Sequence, residues 1–298
     1  MATIVVEKIN LNLGDRSAVI HLMGAELSSY KIGDWEYIWQ ADPAIWARHA
    51  PILFPIVGRL KDNRYTYQGK TYSLGQHGFA RDSMFELVSS TETSAVFVLR
   101  ADAESLRNFP FLFELLVRYE MLAEGLEVSY EVKNVATEAD LLFSIGAHPG
   151  FKCPLNPESE LLSDYILDFG NEDLIELGLY PLEDGYISMS KRSMALSKGM
   201  MPLKDQLFLD DALIMDVLPP AKVSVRHRET GRGFGMEFAD FQWIGIWSKE
   251  PDAGFVCLEP WSGIADTVDH QGDFSQKLGI QRLRPKASYV VNYRMYFW

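Results

Sequence analysis

Apolar and polar residues alternate along much of the chain, and this period of two predicts β-strands. The clearest case is residues 126–133, where four apolar side chains alternate with Glu, Ser, Glu and Lys, as in a strand with one wet face. Short apolar or alternating runs of the same kind recur at residues 95–99, 113–121, 223–226, 234–238, 243–247, 255–258 and 288–297. Many short strands separated by turns favour antiparallel sheets that pack as a sandwich or close as a barrel.

Helical signals are weak by comparison. Residues 43–49 and 103–108 each predict one or two helical turns, and no longer stretch keeps helical spacing without a glycine or proline. No repeat of 20–50 residues indicates a propeller or solenoid, and no Gly/Ser-rich or Pro-rich linker divides the chain. We therefore predict one all-β domain over residues 1–298, with the less regular residues 152–206 forming long loops over one face of the sheets.

Composition narrows the class of protein. Hydrophobic residues make up 47% of the 298 and charged residues 23%, which is ordinary for a soluble globular protein. The formal charge of -13 repels nucleic acid and anionic membranes, so we expect neither as a partner. No apolar run reaches the ~20 residues of a membrane span, and residues 1–8 lack the pattern of a signal peptide. We expect a cytoplasmic monomer or homodimer.

Neither metal nor cofactor is expected from the motifs. The two cysteines, Cys153 and Cys257, make no disulfide framework and no zinc-type spacing. Phosphate-cradling loops and the GxSxG nucleophile motif are absent from the sequence. Histidines, a glutamate and arginines remain, and these residue types suit general acid–base chemistry.

Glu259 is the first candidate for that chemistry. It follows the apolar run 255–258, precedes Pro260 and Trp261, and is therefore predicted at the end of a buried strand. In partly dry surroundings the charged form of a carboxylate is disfavoured, so the group accepts a proton closer to neutral pH. The alternative is a structural glutamate paired with a nearby arginine.

Two histidines lie beside glycines in sequence typical of turns: His77 in segment 75–81 and His148 in segment 144–151. Glycine lets the backbone approach a ligand closely, and loops on rigid sheets commonly carry function. The structural alternatives are a histidine that caps a turn, for His77, and a surface histidine on a rigid His-Pro turn, for His148.

The proline-flanked apolar segment 51–57 is followed by Arg59 and Arg64, which are candidates for ligand binding or simply solvated charges. Together with Arg48 and Arg81 they would hold a phosphate group if they gathered in space, because arginine offers a planar fork of donors. Trp261, next to Glu259, is the tryptophan that we expect to contact a sugar.

These segments resemble the galactose mutarotase (aldose 1-epimerase) superfamily. The resemblance rests on His77 in Gln-His-Gly-Phe-Ala-Arg, His148 in Gly-Ala-His-Pro-Gly-Phe and Glu259 in Leu-Glu-Pro-Trp, in that order and with wide spacing. It runs from about Gly24 to residue 298. The Pro-Ile-Leu-Phe-Pro segment and Leu-Glu-Pro-Trp look more like the mutarotase-like bacterial branch than like true galactose mutarotases.

The resemblance implies a large antiparallel β-sandwich with few short helices and a sugar cleft on one concave sheet. It implies a general base at Glu259, a general acid at His148 and a hydrogen bond from His77 to the sugar near its ring oxygen. Such a pair predicts a bell-shaped pH–rate profile, because base and acid must be in opposite protonation states at one pH.

Two further sugar-binding positions of the family each have two candidates in this sequence. Its arginine corresponds to Arg64 in the Asn63-Arg64 pair, with one extra residue after Gly58-Arg59, or equally to Arg59. Its aspartate corresponds to Asp210, with Asp211 as the alternative.

The function that follows is interconversion of the α and β anomers of an aldose, either free or phosphorylated. One alternative is a glycoside hydrolase that uses Glu259 and Asp210 as its carboxylate pair. The other is a sugar-binding protein without turnover.

Overall fold

Strands dominate the protein, whose computed structural model describes residues 7–250 and 253–298. Residues 1–6 of the N-terminal segment considered above lie outside the described part. The strands are β1 (Lys8–Leu13), β2 (Arg16–His21), β3 (Leu27–Ile32), β4 (Trp35–Glu36), β5 (Ile52–Leu53), β6 (Arg64–Tyr67), β7 (Lys70–Ser73), β8 (Glu86–Ser90), β9 (Ser94–Arg100), β10 (Phe113–Leu122), β11 (Gly125–Asn134), β12 (Leu141–Phe143), β13 (Ile145–Ala147), β14 (Gly150–Lys152), β15 (Tyr165–Asp168), β16 (Glu176–Leu179), β17 (Leu182–Glu183), β18 (Tyr186–Ile187), β19 (Arg192–Ala195), β20 (Met200–Pro202), β21 (Leu213–Asp216), β22 (Lys222–His227), β23 (Gly233–Glu237), β24 (Trp243–Trp247), β25 (Phe255–Ser262), β26 (Gln281–Leu283) and β27 (Ser288–Phe297).

Helices are few and short within the described residues. The α-helix α1 spans Ser105–Asn108, and single 3₁₀ turns occur at Lys61–Asn63, Ala80–Asp82, Leu162–Asp164, Asp205–Phe208 and Phe274–Gln276. Part of the predicted 103–108 segment is thus helical, whereas residues 43–49 form only a turn. None of the helices described is long and apolar enough to cross a membrane.

Two large antiparallel sheets form the frame. The nine-stranded sheet has the order β20-β15-β22-β23-β27-β11-β10-β9-β8. The eight-stranded sheet has the order β19-β16-β21-β24-β25-β13-β5, with β14 also paired to β25. A four-stranded sheet (β1-β2-β3-β4) and three two-stranded pairs (β12-β26, β17-β18 and β6-β7) complete the set.

The hydrophobic core lies between the two large sheets, as in a sandwich. Val117 on the nine-stranded sheet belongs to the same buried cluster as Ile246 and Leu258 on the eight-stranded sheet. Across the interface the rings of Phe151 and Phe234 stack with centroids 4.5 Å apart. The opposite face of the eight-stranded sheet is therefore free to carry a site.

Sequence patterning located the long strands well. The runs at 243–247 and 288–297 are β24 and β27, and the 126–133 alternation lies within β11. Residues 152–206, expected as long loops, instead contain the short strands β15 to β20. Strands of two to four residues carry too little alternation to be distinguished from loops.

Strand β25 runs past the position where the sequence predicted its end. Glu259 was predicted at the end of this strand, yet Ile244 pairs with Pro260 and Gly146 pairs with Trp261, although proline cannot donate to a ladder. Glu259 consequently lies inside the strand, opposite Gly245, with only 2% of its surface exposed.

Candidate active site

A cavity of about 580 Å³ opens on the face of the eight-stranded sheet that points away from the core. That volume lies within the range of small-molecule sites. The residues that line it are Trp46, Gly58, Arg59, Gln76, His77, Arg81, His148, Leu182, Gly185, Ile187, Phe208, Leu209, Asp211, Ala212, Ile214, Trp247, Lys249, Glu259, Trp261, Ile264 and Ala265. Both candidate histidines and the candidate glutamate therefore meet in one place.

The indole of Trp261 lies across two glycines of neighbouring strands. A Cβ atom at Gly146 on β13 would lie 2.6 Å from the ring of Trp261, and one at Gly245 on β24 would lie 2.6 Å from its far edge. Side chains at either position would displace the ring. The two glycines thus let Trp261 lie against the sheet and form part of the cavity wall.

His148 is positioned by strands on both sides of it. It lies with Pro149 between β13 and β14, and both of those strands pair with β25. This arrangement brings His148 Nε2 within 3.1 Å of Glu259 Oε2, with 10% of the histidine side chain and 2% of the glutamate side chain exposed. The surface-histidine alternative for His148 is therefore wrong, and the partner of Glu259 is a histidine rather than an arginine.

Burial acts on the two groups in opposite directions. It raises the pKa of Glu259 well above its ordinary value, and the negative charge of Asp211 raises it further. It lowers the pKa of His148 to about 3. Both shifts favour the uncharged forms, a protonated Glu259 beside a neutral His148, and the 3.1 Å contact allows the two groups to share that proton. Burial is the main cause of the lowered pKa of His148, so an imidazolium at this position is strongly acidic.

His77 is held in a defined tautomer. Its Nδ1 accepts a hydrogen bond from the backbone N–H of Gly58 at 3.1 Å, so the proton of the neutral ring lies on Nε2. Burial, followed by the charges of His148 and nearby arginines, lowers the pKa of His77 well below 6.5. His77 therefore offers a neutral N–H donor at the cavity, where its Nε2 lies 3.3 Å from the side-chain amide of Gln76.

The backbone from Arg59 to Lys61 is hydrogen-bonded to a member of a buried ion pair. The N–H of Asp266 donates to Arg59 O at 2.9 Å, and Asp266 Oδ2 accepts from the N–H of Lys61 at 2.9 Å. Lys277 Nζ donates to Asp266 Oδ1 at 2.9 Å and to Ile264 O at 2.7 Å, and neither charged side chain has any exposed surface. This pair fixes the segment that carries Arg59 at the cavity.

Comparison with known proteins agrees with this geometry. The profile of the aldose 1-epimerase family matches residues 7–279. The chain belongs to the aldose 1-epimerase family. It is 34% identical over 280 residues to LacX of Lactococcus lactis subsp. lactis, and the aligned region covers 90% of this chain and 93% of LacX.

Solved structures show the galactose mutarotase-like fold directly. A galactose mutarotase related enzyme from Lactobacillus acidophilus superposes with a TM-score of 0.91 and 38% identity, over 98% of this chain and 97% of that one. A galactose mutarotase-like protein from Lactobacillus casei gives 0.89 and 28% identity, over 98% and 100% of the two chains. The chain is thus similar to mutarotase-like bacterial proteins, as its motifs indicated.

Two of the residues predicted to bind substrate in this aldose 1-epimerase family member lie outside the cavity. Arg64 is exposed at the start of β6, because the chain turns away after Leu60 through left-handed conformations at Asp62 and Asn63. Arg59 lines the cavity in its place. The extra residue noted in the sequence is thus part of the turn that carries Arg64 away.

Asp210 also lies outside the cavity lining. Its side chain is 77% exposed and pairs with Arg192 at 3.1 Å. Asp211, which the sequence left as an alternative, lines the cavity. The hydrolase alternative, as stated for Glu259 and Asp210, loses its second carboxylate.

The arginines considered for phosphate binding are only partly gathered. Arg59 and Arg81 line the cavity, whereas Arg48 pairs with Asp82 at 2.9 Å. Arg81 donates to Gln76 O at 2.7 Å, and its buried Nε has no hydrogen-bond partner among the described residues. A phosphate would therefore find two arginines at the cavity.

Sequence reasoning missed the aromatic wall around His148. Trp46 stacks on the imidazole with centroids 5.0 Å apart, and Trp247 meets it edge-on at 5.6 Å. The spacing of the tryptophans gave no signal, because the two indoles come from segments some 200 residues apart.

The Asp266–Lys277 pair was also missed, since no sequence pattern predicts a buried ion pair whose members are eleven residues apart.

The thiol of Cys257 lies close to the histidine and glutamate. The ligand atoms of His148, Cys257 and Glu259 all fall within 4.8 Å of one another. These are the residues of the described structure whose donors converge in a way that suits a metal ion.

Proposed function

We propose that this protein interconverts the α and β anomers of an aldose by acid–base opening and closing of the sugar ring. The observation that carries the proposal is the 3.1 Å contact between His148 Nε2 and Glu259 Oε2 inside a cavity that His77, Arg59 and Trp261 also line. The hydroxyl oxygen and ring oxygen of a hemiacetal are attached to the same carbon. A donor and an acceptor that serve both oxygens must therefore be neighbours, as these two residues are.

In the opening step the Glu259 carboxylate takes the proton of the C1 hydroxyl group. The electrons of that O–H bond form the carbonyl, the bond between C1 and the ring oxygen breaks, and the ring oxygen receives the Nε2 proton of His148. Rotation about C1–C2 presents the other face of the aldehyde, and closure returns both protons. Each well-placed proton donor or acceptor contributes about 10²–10⁴-fold.

The charged form of the pair arises by transfer of the shared proton from Glu259 to His148. The number of protons does not change, so the pair is competent wherever it holds one proton. Activity falls in acid, when both groups are protonated, and in base, when the proton is lost. A bell-shaped profile is expected, with its limbs moved apart because burial lowers the pKa of His148 and raises that of Glu259.

The surrounding residues have supporting roles in this proposal. The neutral His77 donates to the sugar near its ring oxygen, and Arg59 with Asp211 binds hydroxyl groups at the rim. Trp261 offers a flat apolar surface to the ring face. Hydrogen bonds from the backbone N–H groups of Gly58 and Asp266 hold the His77 ring and the Arg59 backbone in place, respectively.

The test is to measure anomer interconversion by polarimetry or NMR exchange with a panel of aldoses and their 6-phosphates. The unaltered protein should accelerate anomer interconversion of at least one of these sugars, and Glu259→Gln should reduce that rate by about 10²–10⁴-fold. The proposal is refuted if the unaltered protein accelerates none of the sugars, or if Glu259→Gln is as active as the unaltered protein.

Two further measurements separate the alternatives. Sugar binding without turnover in the unaltered protein would indicate a binding protein. Release of nitrophenol from a nitrophenyl glycoside would indicate a hydrolase.

A further inference from the structure

We propose that His148, Cys257 and Glu259 together form a binding site for a thiophilic divalent cation such as Zn²⁺, which acts as an inhibitor. Their ligand atoms lie within 4.8 Å of one another, and the imidazole and carboxylate are already 3.1 Å apart. Around tetrahedral zinc, with bonds of about 2.0–2.3 Å, neighbouring ligand atoms lie about 3.3–3.6 Å apart. Small side-chain movements therefore suffice to enclose an ion.

The convergence is built into the strand pairing. Cys257 and Glu259 are two residues apart on β25 and so point to the same face of the sheet. Gly150 pairs with Cys257, which brings the segment that carries His148 alongside both of them. Strand β25 carries two of the ligands, and the two-residue connection between β13 and β14, which both pair with β25, carries the third, so the geometry does not depend on a mobile loop.

The donor set selects the kind of ion. A thiolate, an imidazole and a carboxylate suit zinc and related metals, whereas Mg²⁺ and Ca²⁺ prefer all-oxygen shells. One thiolate and one carboxylate also neutralise a divalent ion, which matters where burial makes an unbalanced charge costly. Three protein ligands leave a fourth position that faces the cavity and accepts water or a sugar oxygen.

An ion at this position would stop the acid–base cycle. It would occupy both the Nε2 atom of His148 and the carboxylate of Glu259, the two atoms between which the shared proton moves. This consequence rests on the proposed function, whereas binding of the ion does not.

Binding is measured on the purified, chelator-treated protein by calorimetry with ZnCl₂ and by ultraviolet absorption with CdCl₂. One Zn²⁺ per chain is expected, and Cd²⁺ should produce a thiolate-to-metal charge-transfer band. Cys257→Ser should weaken Zn²⁺ at least tenfold and abolish the band. Cys153→Ser is the matched control, because Cys153 is equally buried but belongs to the core between the sheets, and it should change neither result.

Absence of Zn²⁺ binding, absence of the Cd²⁺ band, or unchanged affinity in a folded Cys257→Ser protein would overturn the site. If that variant does not fold, the Cd²⁺ band and the visible spectrum of the Co²⁺ form of the unaltered protein still decide whether sulfur is a ligand. In a separate arm, Zn²⁺ should inhibit anomer exchange and Mg²⁺ should not. Zinc binding without anomer exchange in the metal-free protein would refute the proposed function alone.

Discussion

Gly58 and His77 exchange two hydrogen bonds. The N–H of His77 donates to Gly58 O at 2.9 Å, and the N–H of Gly58 donates to His77 Nδ1 at 3.1 Å. The second bond can form only while Nδ1 carries no proton, so backbone geometry decides the chemistry of the ring facing the cavity.

The first prediction follows for His77 itself. Because its pKa is lowered well below 6.5, the ring should remain neutral and carry its proton on Nε2 from pH 8 to below pH 6.5. Nitrogen–proton correlation NMR reads the tautomer and any titration, with His77→Ala to assign the signals. A midpoint near 6.5, or a proton on Nδ1, would contradict the assignment.

His148 should make the folded protein sensitive to acid. Its pKa is about 3 when folded against 6.5 ordinarily, so between these values the unfolded chain binds more protons. Its contribution to stability is therefore complete above pH 6.5 and is lost as the pH falls towards 3.

Urea unfolding of the unaltered protein and of His148→Gln between pH 7.5 and 4 measures this loss. The stability of the unaltered protein relative to the variant should decline steadily with falling pH. Groups distant from position 148 cancel in this difference, and two parallel stability curves would argue against a buried, neutral His148.

Asp211 and Asp210 form a natural pair for comparison, since only the first lines the cavity. Asp211→Asn should lower kcat/KM at least tenfold, and Asn tolerates the left-handed backbone at this position, where φ is 79°. It should also move the basic limb of the pH profile to lower pH, because the charge of Asp211 raises the pKa of Glu259. Asp210→Asn should stay within twofold of the unaltered rate, and the reverse ranking would restore Asp210 as the substrate-binding aspartate.

Arg59 and Arg64 allow the same comparison among the arginines. A hydrogen bond from a charged donor is worth about 1.5–3 kcal/mol, so Arg59→Gln should raise KM about 10- to 100-fold. Arg64→Gln, on the exposed side of the β6–β7 hairpin, should leave KM within twofold. Steady-state kinetics on the best sugar of the panel measures both, and equal effects would mean that the cavity lining has been misjudged.

Removing one partner of the Asp266–Lys277 pair should be costly. Both side chains are fully buried, and an uncompensated buried charge costs about 3–5 kcal/mol. Lys277→Met should lower the free energy of unfolding by that amount in urea titrations. The double variant Asp266→Asn/Lys277→Met should recover part of the loss, whereas a single-variant cost below about 1 kcal/mol would show that the pair is not structurally important.

The long strands and the three residues His77, His148 and Glu259 could be located from the sequence, because strand alternation and short motifs are both strong local signals. Alternation over ten residues defines β27, and His77, His148 and Glu259 each lie in a short distinctive motif. Sequence reasoning failed where neighbouring residues compete for one role. Between Asp210 and Asp211, or between Arg59 and Arg64, the outcome depends on left-handed turns at Asp211 and at residues 62–63. Asp and Asn favour such turns, but the residue type does not show which neighbouring side chain then faces the cavity.

Supporting contacts were out of reach for a different reason. The His77 ring and the Asp266 carboxylate accept hydrogen bonds from the backbone N–H groups of Gly58 and Lys61, and every residue except proline has such a donor. The sequence therefore does not show which N–H group each of these side chains binds.

Strand β27 lies between β23 and β11 in the nine-stranded sheet. Ribosomes make it after all the other strands described, yet it occupies a central slot rather than an edge. Until β27 is made, β23 and β11 each lack this hydrogen-bonding neighbour, so each leaves the edge of its part of the sheet unpaired. The nine-stranded sheet can therefore be completed only once residues 288–297 are available, and a chain truncated before them is expected to expose both of these edges.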